Sequence, residues 1–118
     1  AHNCVFAATD ITCHAEIAAI RKACSVTGDV HLTGAVCYAT CEPCPMCFAA
    51  CHWANIARLV YGSEIQDAAG LGFRELTISD RTMKEAGNSE IEIVGGFLRD
   101  ECRALFAEWS ARPDRRTY

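Results

Sequence analysis

No run of uncharged apolar residues here approaches the roughly 20 that a membrane-spanning helix requires. The opening AHNCVFAATD also lacks both the basic cluster and the apolar stretch of a signal peptide. A soluble, cytosolic chain with no membrane partner is therefore expected. Excess positive charge is missing as well: 11 Lys and Arg face 15 Asp and Glu, for a net charge of -4, so the whole molecule exerts no pull toward phosphate backbones. Nucleic acid is the disfavoured partner and a small molecule the favoured one. The tail residues Arg112, Arg115 and Arg116 are locally basic, but such a cluster is more often simply solvated. Internal repeats and low-complexity linkers are absent too.

Cysteine, by contrast, is abundant at nine residues, and 51% of the chain is apolar, enough for one compact domain spanning residues 1–118. An odd cysteine count in a helix-patterned chain of this length argues against a disulfide framework and for a reducing compartment. There, cysteines serve as metal ligands, nucleophiles or small buried apolar groups.

Periodicity predicts a helix over 13–26, with Asp10 and Thr12 as candidate caps, Ile17, Ile20 and Cys24 on one face and Gly28 beyond its end. Residues 35–39 and 57–61 read as short buried strands, and Ile91, Ile93 and Val94 as a third. Pro45 suits the first turn of a helix running to Trp53. GLGF reads as a shaped loop, residues 78–89 as polar and helix-ambiguous. The segment 97–109 reads as a final helix with Leu98, Cys102, Leu105, Phe106 and Trp109 on one stripe. Strands alternating with helices imply an α/β layer arrangement with parallel neighbours.

Two motifs carry chemistry: His14-Ala15-Glu16, and Pro43-Cys44-Pro45-Met46-Cys47. Residues three apart on a helix are neighbours, so Cys44 and Cys47 can close on one ion, with His14 brought in from another helix start. Three protein ligands leave a position for water, as hydrolytic chemistry requires, whereas a structural zinc site is closed by four. Helix N-termini favour the thiolate that a ligand cysteine must become. Two thiolates neutralise the dication, which makes a nearby carboxylate base more useful, and Glu16 can project beside the metal rather than onto it.

His-x-Glu followed by Pro-Cys-x-x-Cys resembles the signature of zinc nucleobase deaminases. HAEIAAIRKAC and CYATCEPCPMCFAACHWA are similar to the cytidine-deaminase-like superfamily, specifically its guanine deaminase branch, while IEIVGGFLRDECRALF is similar to bacterial transfer-RNA adenosine deaminases. The resemblance implies a three-layer helix, mixed sheet, helix fold with one zinc ion per chain and a homodimeric assembly. The implied reaction is attack of a zinc-activated water on an amino-bearing ring carbon, with Glu16 shuttling protons and ammonia leaving. It further implies substrate contacts from Asn3, the backbone N–H of Ala15, Glu75 as a second acidic residue, and Tyr118 as an aromatic closing over the site. Trp53 could stack on a base, although a tryptophan in an apolar helix more often belongs to the core. Ile11 stands where most members carry proline, and the N-terminal helix and first strands of the family have no counterpart before Asn3.

The expected function is guanine-type deamination, with transfer-RNA adenosine-to-inosine editing as the alternative. A different class is suggested by Cys41, Cys44, Cys47 and Cys51, whose spacing matches an iron–sulfur electron-transfer module. His52 follows the fourth cysteine where proline is usual, and that reading leaves His14-Ala15-Glu16 unexplained.

Overall fold

From residue 15 onward helices and strands alternate, except that two helices in succession precede the last strand. The computed structural model, which describes all residues from Ala1 to Tyr118, arranges them around a single small sheet. A one-turn helix, α1 (Val5–Ala8), precedes α2 (Ala15–Thr27). Helix α2 starts from His14, whose backbone is still extended, and ends at Gly28. The φ of 70° at Gly28 is a left-handed stop that glycine adopts without penalty.

Strand β1 (Val36–Cys41) leads into α3 (Pro45–Trp53), β2 (Arg58–Ser63), α4 (Ile65–Ala69), α5 (Asp80–Gly87), β3 (Glu92–Val94) and α6 (Arg99–Ser110). Pro45 occupies the first turn of α3, where a missing N–H costs nothing. Ser79 caps α5 by accepting the N–H of Thr82 at 3.2 Å.

The strand order is β1-β2-β3, and both pairings are parallel, with Val36 opposite Arg58 and Arg58 opposite Glu92. Leu59 to Ser63 are all buried, as befits a central strand covered on both faces. Leu59 and Tyr61 join Leu32, Phe48, Cys51, Ala54, Ile56 and Ile91 in the core, with α2 and α5 contributing Ile20, Ala23, Cys24 and Met83 at its margin. Because strand side chains alternate, Gly62 faces the other way, toward α6. A Cβ there would collide with the Cys102 sulfur, so the glycine is what lets α6 lie down on β2.

The α/β expectation holds, and the helix and strand positions agree to within a few residues. Two short helices, α1 and α4, had no periodic signal because neither exceeds five residues. The ambiguous 78–89 segment contains α5. All nine cysteines are free thiols, consistent with the absence of a disulfide framework. No helix is long and apolar enough to cross a membrane.

Candidate metal centre and pocket

Two helix starts meet at the end of β1. His14 is the N-cap of α2 (φ −66°, ψ 161°) and Cys44 the N-cap of α3 (φ −68°, ψ 164°), so both side chains leave the chain in the same way, just before a helix begins. Cys47 follows on the first turn of α3. The ligand atoms of His14, Cys44 and Cys47 lie within 4.8 Å of one another, and all three residues are buried. Nδ1 of His14 is 3.6 Å from Sγ of Cys44.

The donor set itself tests the fit to zinc. One imidazole and two thiols in a tight cluster, with no fourth side-chain donor, match three-ligand zinc chemistry. Pairing with the Cys47 thiol pushes the Cys44 thiol down to about 4 against its burial, with the His14 imidazole adding to the effect. The same pairing, with burial, pushes Cys47 up. His14 is raised chiefly by its contact with Cys44, against burial. A dication at this cluster would hold both sulfurs as thiolates.

A cavity of about 320 Å³ opens beside the cluster and runs along β1. His14, Cys44, Ala15, Glu16, Asn3, Glu75, Phe73, Phe106 and Tyr118 all contribute to its wall. Glu16 sits on the first turn of α2, and burial raises its carboxyl above the usual range, assisted by the Cys44 charge and opposed by His14. Glu75 is raised by burial first and by Cys44 second. The Tyr118 hydroxyl lies 3.3 Å from Nε2 of His14 and accepts a short hydrogen bond from Nδ2 of Asn3. The other amide atom of Asn3 is also engaged, since Oδ1 accepts the N–H of Val5 at 3.1 Å.

Of the expected site residues, the structure thus gathers His14, Ala15, Glu16, Cys44, Asn3, Glu75 and Tyr118 on one cavity, with Cys47 beneath it. Trp53 is the exception. It ends α3 with 81% of its surface exposed and lines neither this cavity nor the one next to it, so it is not a core residue. The helix stops at Ala54, and in its last turn Cys51 faces the core while Trp53 faces outward.

Phe73, Phe106 and the β1 residues Cys37 to Cys41 were not foreseen as wall residues. For β1 a signal existed, because ligands bind at the carboxyl ends of parallel strands. For Phe73 and Phe106 none did. Phe73 packs edge-on against Tyr118 and beside Trp109, contacts that join three distant segments.

The four cysteines of the iron–sulfur spacing do not converge. Cys51 is in the apolar core and the Cys41 thiol points at the Glu64 carbonyl, 3.7 Å away. Residues 1–63 match the cytidine and deoxycytidylate deaminase zinc-binding region. The chain belongs to this deaminase family.

Within it, the chain is 44% identical to guanine deaminase of Bacillus subtilis over 116 residues, covering 98% of this chain and 74% of that protein. It is 33% identical to the transfer-RNA-specific adenosine deaminase of the same organism over 94 residues, covering 80% of this chain and 56% of that protein. A solved structure of guanine deaminase from Nitrosomonas europaea superimposes with a TM-score of 0.84 at 29% identity, over 93% of this chain and 63% of its counterpart. The chain therefore spans less than two thirds of the last two relatives. The family is one of zinc-dependent enzymes that hydrolyse C–N bonds, and a bound zinc is its cofactor.

Proposed function

We propose that residues 1–118 form one zinc deaminase domain acting on a guanine-type base or nucleoside. The observation that carries this reading is the presence of two carboxyl groups, Glu16 and Glu75, on the same cavity wall as His14 and Cys44. Zinc held by His14, Cys44 and Cys47 supplies a Lewis acid that makes a water nucleophilic near neutral pH.

Glu16 moves the protons. Its carboxylate accepts one from the attacking water and delivers it to a ring nitrogen, which makes the amino-bearing carbon electrophilic. It then carries the second to the departing amino group, so water and substrate become a carbonyl product and ammonia. Glu75 recognises an N–H edge of the ring. Asn3 and the N–H of Ala15, which as the first residue of α2 has no intrahelical acceptor, hold polar ring atoms. Phe73, Phe106 and Tyr118 give the ring apolar walls and exclude water. The functional assembly under this proposal is a homodimer, and the bare indole of Trp53 is surface that such an interface would cover.

The similarity to transfer-RNA adenosine deaminases supports a second reading, A-to-I editing, against which the net negative charge weighs. Ammonia release from guanine, guanosine, cytosine, adenine and an adenosine-bearing anticodon stem-loop separates the two. Turnover of guanine or guanosine is expected. Release from the stem-loop alone would overturn the guanine-type assignment.

A further inference from the structure

We propose that Glu42 is a positioning residue that ties the pocket-lining excursion between α4 and α5 to the strand end bearing the metal donors. The kinetic part of this proposal rests on the deaminase reading above, and the geometric part does not. Glu42 is buried in the turn after β1, two residues before Cys44, and its own N–H donates to the Ser63 carbonyl at 2.8 Å. Its Oε2 accepts the N–H of Ile65 at 2.9 Å, and its Oε1 accepts the N–H of Asp80 at 2.8 Å.

Ile65 and Asp80 are the first residues of α4 and α5. Their N–H groups have no acceptor within their own helices, and helix starts favour negative charge. One carboxylate therefore satisfies both helix starts at once, through charge-assisted hydrogen bonds in a dry setting.

Between those two anchor points the chain leaves regular structure and brings Phe73 and Glu75 to the cavity. Outside the anchors, the excursion is held by the Arg74 N–H on the Tyr118 carbonyl and by the ring contacts of Phe73. Asp80 cannot take over the joint, because neither oxygen of its fully buried carboxyl has a hydrogen-bond partner. Glu42 thus sets the distance between the side that holds the metal donors and the side that meets the substrate.

Glu42→Gln tests this at constant size. The amide oxygen can accept one of the two N–H groups, but the amide nitrogen turns hydrogens toward the other. One zinc per chain should be retained. Amides within 65–80 should exchange with deuterium at least about tenfold faster than in the wild type, while those of β1 and β2 stay unchanged. For whichever base the wild type deaminates, KM should rise about tenfold with kcat held within about threefold.

Unchanged exchange within 65–80 in a folded, zinc-loaded variant would overturn the proposal, as would a loss confined to kcat. If the variant does not fold, exchange in the wild type decides: the Ile65 and Asp80 amides should be as protected as those of β2, and open-chain exchange at either refutes the joint. A wild type inactive on every base would sink the guanine reading while leaving the exchange result to decide on Glu42.

Discussion

The hydroxyl of Tyr118 sits 3.3 Å from Nε2 of His14, on the opposite side of the imidazole from the nitrogen that faces Cys44. The two rings lie 5.6 Å apart, centre to centre, at a tilt of 56°. If Nδ1 is given to a metal, Nε2 carries the ring proton and must donate it. Tyr118 is the acceptor in reach, and Asn3 donates to the same oxygen. With both lone pairs engaged, the Tyr118 O–H is left to point into the cavity.

Tyr118→Phe keeps the ring and removes that acceptor. We expect zinc to stay bound under mild conditions, with kcat/KM falling roughly tenfold, the scale of one lost hydrogen bond of about 1.4 kcal/mol. Steady-state ammonia release together with metal content reads both.

Glu16→Gln should leave the zinc content at one per chain and lower kcat by a factor on the order of 10² to 10⁴, since general acid–base transfer is what it removes. Turnover near the wild-type level would contradict the proton-shuttle role.

Cys47 is fully buried at the base of the donor cluster. Cys47→Ser should abolish stoichiometric zinc binding, measured by metal analysis after gel filtration. Removing zinc from the wild type with a chelator should lower its thermal midpoint, because a ligand bound only to the folded chain stabilises it by about 4 kcal/mol at 1,000 times its Kd.

Gly62→Ala should destabilise the fold by roughly 1 to 3 kcal/mol, because the new methyl group collides with the sulfur of Cys102 and comes within 3.0 Å of the Phe97 carbonyl. Adding Cys102→Ala should restore part of the loss. Equal denaturation midpoints for Gly62→Ala and the wild type would show that α6 can lift off β2 without cost.

Asp80 gives a pH prediction. Burial, and then the neighbouring Glu42 charge, push its carboxyl up to about 8 from 3.8. Between those two values the folded chain holds a proton that the unfolded chain has released. Its contribution to stability is therefore fully present below pH 4 and is lost as pH rises to about 8. Asp80→Asn removes this slope and should gain on the order of 4 kcal/mol over the wild type at pH 9 relative to pH 5, read from urea midpoints. A parallel pH dependence for both proteins would show that Asp80 stays ionised.

What could be read from the sequence was local. His14, Cys44 and Cys47 are legible because each sits at a helix start marked by its own neighbours, and Pro45 fixes where α3 begins. Helix α4 was missed because its start is written in acidic residues, Glu64 and Asp67 capping each other, within a segment that otherwise resembles a loop. The core reading of Trp53 failed because its exposure depends on where α3 ends relative to the sheet, which periodicity does not encode. Glu42 carried no signal, since its two partners are 23 and 38 residues away.

The parallel pairing of the sheet also has a kinetic side. Val36 meets Arg58, and Arg58 meets Glu92, so each ladder joins positions more than twenty residues apart and no hairpin can seed the sheet. Folding must close those long loops before the first ladder bond repays their entropy. The donors Cys44 and Cys47 lie inside the β1 to β2 crossover, and His14 lies before it. An ion held by all three would close only the loop from residue 14 to residue 44, so both ladders would still have to meet the entropy of their own crossovers.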